Sequence, residues 1–485
     1  MLTAAARSWK IFDLLHADVG PRYPQILRYA GIALDSEASE QHPWDMNTDP
    51  EKIKVSAGED LLAFIPHMVG YWPETSIVCI AMKGKKLRAT MRLDLPPDDA
   101  SSRETAHFAS IAATQLACDT ESDGCLIAIF GRDDWHGPKK FPYAKLYRHL
   151  CQEFAAQGLP VRDAWYVGTD HWRSLECTDA NCCPWPGKSN SSIKESFVNA
   201  EFIFRGSMVG EAPKEQVAQL ITVRDPEFVA KVAADTEKVK QPLSVNGCGA
   251  EQLTASLQAW QFSLELWPKP PDACMCAFLL ASLADRSVRD AVIVLLATSA
   301  EYALLGAEGM GMTTPDVTEL VVPVNWYGGN QAAGRPLNMA WVTEDLMVGA
   351  AYDFGNILVG GTAPRVDGDD PCLLDWERLD RAEPFLHFLA QASDSADKAP
   401  VLCILGWIQW CKGRGSWAGQ YFLACMDYQP GYRLAALLDQ LLSGGHIAEC
   451  AKDPVTAWHR DTEEAAAEDQ QEVKRGEDPG LDAAA

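Results

Sequence analysis

Two strand-length runs, apolar but for Ser76 at the start of the first, constrain this chain more than any other feature: residues 76–82 (SIVCIAM) and 125–130 (CLIAIF). Each has strand length, β-branched side chains and turn signals at its ends, so each needs cover on both faces. Helical patterns supply that cover. Leu61, Leu62, Ile65 and Val69 share one helical face behind Ser56 and Glu59, which are spaced as a capping box, and Gly70 and Pro73 mark the end. Lys83-Gly84-Lys85 turns the first run into an alternating strand at 87–95, making a hairpin. Ser101 and Glu104 open a helix over 102–118, a helix over 142–157 stops at Gly158, and 161–167 reads as a further strand. Strands separated by helix-length crossovers run parallel. The pattern therefore predicts an α/β domain over 51–215, with an open mixed sheet that is largely parallel after an N-terminal hairpin.

The chain has 485 residues, enough for two to four domains. Residues 1–50 read as a helical N-terminal extension and 216–305 as a helical segment, with apolar residues at helical spacing over 251–267, 273–284 and 287–300. The glycine-rich interval 306–370 reads as long loops, with one short strand at 320–325. An all-α, tetratricopeptide-like helical domain is expected over 371–450. There Leu405-Gly406, Ala418-x3-Phe422 and Pro430 fall at the offsets of that repeat, with Leu402 and Gln409 in its Trp and Tyr positions. The tail, 456–485, holds nine acidic and two basic residues from Asp461 onward and is expected to be disordered.

Charge and cysteines narrow the partners and the compartment. With 42 basic and 67 acidic side chains the net charge is −25, which weighs against a nucleic-acid partner. No apolar stretch approaches a membrane span of about 18 residues. The first residues lack the pattern of a secretory leader, and fifteen cysteines, an odd number, fit reduced thiols better than a disulfide framework. A cytoplasmic location is expected.

Candidate chemistry concentrates in one segment, His171-Trp172-Arg173-Ser174 followed by Cys177, Cys182 and Cys183 and a Pro/Gly turn. Zinc takes four N/S ligands, so His171, Cys177, Cys182 and Cys183 form a candidate set. Against this, C-x4-C-C lies at the edge of knuckle spacing, and adjacent Cys182 and Cys183 rarely both point at one metal, because successive side chains diverge. Packed thiols pinning a loop to the sheet edge are the alternative, and a redox or nucleophilic thiol is a third reading. Arg92 and Asp94 project from one face of their strand, where they either line a pocket with Arg173 and Ser174 or pair with each other. Ser76 lacks the elbow of a hydrolase nucleophile and suits a turn hydroxyl, and His67 suits a buried partner.

Several motifs in order resemble an uncharacterised actinobacterial family catalogued as domain of unknown function 4192. They are Pro66-x3-Gly70-Tyr71-x-Pro73-x2-Ser76, Arg92-x-Asp94-Leu95-Pro96, Trp172-Arg173-Ser174-x2-Cys177-x4-Cys182-Cys183-Pro184, Leu283-Ala-Asp285-x3-Arg289-Asp290 and Pro430-Gly431-Tyr432. The resemblance spans about residues 55–445 and implies no particular activity, cofactor or catalytic residue. The sequence as a whole leads to a binding or regulatory module for a protein or small-molecule ligand. The competing expectation is a zinc hydrolase or thiol enzyme centred on the cysteine segment.

Overall fold

Chain order in the first half is β1 (Gln25–Leu27), β2 (Ile32–Ala33), α1 (Gly58–Val69), β3 (Ser76–Lys83), β4 (Lys86–Asp94), α2 (Ser102–Leu116) and β5 (Gly124–Phe130). It continues with α3 (Ala144–Ala156), β6 (Val161–Val167), β7 (His171–Ser174) and β8 (Lys188–Ser189). The computed structural model describes residues 25–27, 32–33 and 55–459, apart from 56, 138–141, 180, 247, 315–319, 324–341, 363–373 and 454. Local signals set the helix ends. Ser101 Oγ accepts from the Glu104 amide at 3.2 Å while Glu104 returns the bond to the Ser101 amide at 2.7 Å. At α1 the cap is one residue later than the sequence suggests, with the Asp60 carboxylate accepting from the Ala57 amide; Ser56 lies outside the described residues.

The strands form one sheet in the order β1-β4-β3-β5-β6-β7-β8, with β2 also paired to β4. Among the described residues six of its seven pairings are antiparallel, and β5–β6 is parallel. This overturns the expectation of a largely parallel sheet. The α2 crossover does join strands of the same direction, but β3 lies between β4 and β5 and runs antiparallel to both. A crossover sets direction and leaves adjacency open. The turn at 168–170 then folds β7 back on β6. Where residues 1–50 are described they are strands, in place of the helix expected there.

The apolar runs are covered on both faces. Ile77, Cys79, Met91, Ile127 and Ile129 pack with Phe108, Leu150 and Phe154 from α2 and α3. On the opposite face Val78, Ile80, Ala128, Phe130 and Trp165 pack with Leu62, Phe64 and Ile65 of α1.

The remainder is helical: α4 (Ser191–Lys194), α5 (Phe197–Phe204), α6 (Pro213–Leu220), α7 (Pro226–Asn246), α8 (Ala250–Leu266), α9 (Ala273–Ser282) and α10 (Arg286–Ala297). Then follow α11 (Ala300–Gly309), α12 (Glu344–Leu358), α13 (Trp376–Gln391), α14 (Ala399–Cys411), α15 (Gly415–Tyr428) and α16 (Arg433–Ser443). The core on the α2/α3 face of the sheet continues without a break into this half, through Trp260, Phe278, Phe385 and Trp407. In the α14–α15 hairpin a Cβ at Gly406 would overlap the Phe422 ring, so glycine permits the close approach that the Leu405-Gly406 and Phe422 spacing suggests. Helices α13 and α16 pack beside it.

The interval 306–370 departs from the loop reading. It holds the end of α11 and all of α12, and Gly306 and Gly309 lie where α12 presses on α11, against Ala350, Phe354 and Met347. These glycines mark helix contact and not loop. Residues 320–323 are not a strand, and the rest of the expected strand lies outside the described residues. Among the described residues no helix is long and apolar enough to cross a membrane.

Candidate functional site

At one end of the sheet, β7 runs into the cysteine segment. Ser174 closes the strand with its Oγ accepting the Glu176 and Cys177 amides, both at 3.3 Å. The chain then turns: Asn181 N–H donates to Asp179 Oδ1 at 2.8 Å and Cys183 N–H to the Asp179 carbonyl at 2.8 Å. That tight turn gathers Cys177, Cys182 and Cys183, whose sulfurs lie within 4.8 Å of one another. Tetrahedral zinc–thiolate bonds of about 2.3 Å place sulfurs about 3.8 Å apart, so small rotamer changes suffice to enclose an ion. Cys182 is exposed, Cys177 half-buried and Cys183 buried. A hydrogen bond to the Asp179 main chain, then one to Cys183, hold the Cys177 thiol below its ordinary value. Burial pushes Cys183 up to about 11. Among the described residues no histidine or carboxylate bonds to any of the three sulfurs.

Arg173 holds this loop from beneath. Its guanidinium lies 3.4 Å from the Trp185 ring centroid and 5.0 Å from that of Trp135, and Nη2 donates to the Cys177 carbonyl at 3.0 Å. The residue is only 3% exposed, and its Nε and Nη1 have no partner among the described residues. Contact with the Trp185 face, beside a Trp135 ring that meets Trp185 edge-on with centroids 5.0 Å apart, offsets part of the cost of burying that cation.

His171 is drawn away from the sulfurs. Its Nδ1 lies 2.7 Å from Asp134 Oδ2, and Asp134 Oδ1 accepts the Asp170 and His171 amides at 3.0 Å each. Burial works to raise the Asp134 carboxyl, but these bonds outweigh it and hold the group below its usual value. His171 therefore stands outside the three-sulfur group.

Arg92 and Asp94 do share a face and pair at 2.6 Å. Arg92 is buried, with Nε donating to Ser76 Oγ at 2.9 Å and Nη1 to Ser416 Oγ of α15 at 3.1 Å. The Ser76 hydroxyl in turn donates to the Glu74 carbonyl at 2.6 Å. This network ties the sheet to the helical half; Arg173 and Ser174 belong instead to the thiol loop.

The family model described as a domain of unknown function, DUF4192, matches residues 59–305 and 372–447. The chain belongs to that family. No curated protein and no solved structure matches it. In this DUF4192 chain the matched stretch takes in the whole sheet from β3 onward, the thiol loop and the α14–α15 hairpin. Sequence reasoning missed Asp134, Trp135 and Trp185 as the groups that place His171 and Arg173. Asp134 and Trp135 stand after β5, 37 and 38 residues before the side chains they hold, and only the parallel β5–β6 pairing brings the two ends together.

Proposed function

We propose that this DUF4192 protein is a ligand-binding module that holds one soft divalent metal ion, zinc by its ligand chemistry, on Cys177, Cys182 and Cys183. The convergence of three sulfurs within 4.8 Å on a turn braced by Arg173 and Ser174 supports this reading. Three thiolates suit zinc and other soft metals over magnesium or calcium, and leave a fourth position for solvent or a ligand. A bound divalent cation favours the thiolate form of its ligands, so binding releases protons. His171, held by Asp134, orients the strand that leads into the loop.

The test is metal content of the protein purified under reducing conditions. About one zinc per chain is expected in the native protein, falling at least tenfold in both Cys177→Ser and Cys183→Ser. Metal-free native protein that takes up no zinc on addition contradicts the proposal, as does a zinc content unaffected by either substitution.

A further inference from the structure

Far along the chain from the thiol loop, a half-open cavity of about 440 Å³ is lined by α7, α9, α10, residues 396–400 and the start of α16. Its charge runs against that of the molecule. Lys240, Arg286, Arg289 and Arg433 line it with a single carboxylate, Asp397, in a chain whose net charge is −25. Two of these cations are engaged: Arg289 pairs with Asp290 at 2.6 Å and reaches the Tyr432 hydroxyl at 3.4 Å, and Lys240 pairs with Asp397 at 2.7 Å. Arg286 and Arg433 stand exposed at the rim, and among the described residues neither has an ion-pair or hydrogen-bond partner. Leu280 and Leu283 add apolar wall. Helix α16 begins at Arg433 without a side-chain cap.

We propose that this cavity binds a small organic phosphate monoester. Its volume lies within the range of about 300–1,000 Å³ usual for small-molecule sites. Two exposed guanidinium forks, backed by Arg289, match the three acceptor oxygens of a terminal phosphate better than the two of a carboxylate. The uncapped first turn of α16 adds amide donors at the same rim. The leucine walls take the organic body of the ester, which inorganic phosphate lacks.

Isothermal titration of the full reduced chain with adenosine monophosphate and with ribose 5-phosphate tests this, with adenosine and succinate as comparisons. Either phosphate is expected to bind, more weakly as salt rises, and Arg286→Met and Arg433→Met are each expected to lower affinity by about tenfold or more. Both arginines are exposed, so the melting temperature of each variant stays at the native value. Cys177→Ser retains the binding, which keeps this inference separate from the metal reading. The proposal is overturned if neither phosphate gives a signal, if the double variant binds as the native chain does, or if succinate or adenosine binds as tightly as the phosphates.

Discussion

His67 and His387 are buried among neutral or distant partners, and each is easier to protonate in the unfolded chain than in the folded one. His67 sits between Ser207 Oγ at 3.0 Å and Asn199 Oδ1 at 2.9 Å and stacks on Phe202. His387 bonds the Tyr421 hydroxyl at 2.6 Å. Burial lowers both from 6.5, partly offset at His67 by Asn199 and at His387 by the Glu383 charge. The unfolded chain therefore takes up these protons first, so their contribution is full above about pH 6.5 and is lost as pH falls below it. Melting temperatures measured from about pH 7.5 to 5.5 are expected to decline, and His67→Gln is expected to flatten the decline. A slope unchanged by that substitution contradicts the assignment. His67 as a buried partner was legible in its helical setting. The meeting of Cys182 and Cys183 was not, because the argument that neighbouring side chains diverge holds for extended chain. The bond from the Cys183 amide to the Asp179 carbonyl shows a turn, where it fails.

At the scale of elements, the hairpin, the alternation of strand and helix, and most helix boundaries follow from periodicity and caps. Sheet order does not, because it depends on which strands find each other across α2, and no local pattern records that β3 comes between β4 and β5. The glycines of α11 mislead for a related reason: a residue that permits a turn also permits two helices to touch, and only the partner α12 decides which. Arg92 is the clearest case of an element-scale role. A charged side chain on an inner strand suggests a ligand, whereas here it joins β3, β4 and α15 through Ser76, Asp94 and Ser416. Arg92→Ala is expected to destabilise the chain by about 1–3 kcal/mol, because the Ser76 and Ser416 hydroxyls lose a buried donor. Urea unfolding checks it: a midpoint equal to that of the native protein places Arg92 outside the structural network.

Over the whole molecule, the sheet and the helical half share one core, so the thiol loop and the arginine-lined cavity are carried on a common scaffold. The loop projects from the end of the sheet, anchored by Arg173 over the Trp185 ring, and presents Cys182 to solvent. Its three sulfurs are near enough to enclose a metal ion. Titration of the reduced, metal-free protein with cobalt(II) tests this most directly, since tetrahedral thiolate ligation gives intense visible and thiolate-to-metal absorption that water or carboxylate ligation does not. Those bands are expected to saturate at one cobalt per chain, to be displaced by zinc and to be lost in Cys183→Ser. Cobalt spectra that stay those of the hydrated ion would contradict the metal proposal.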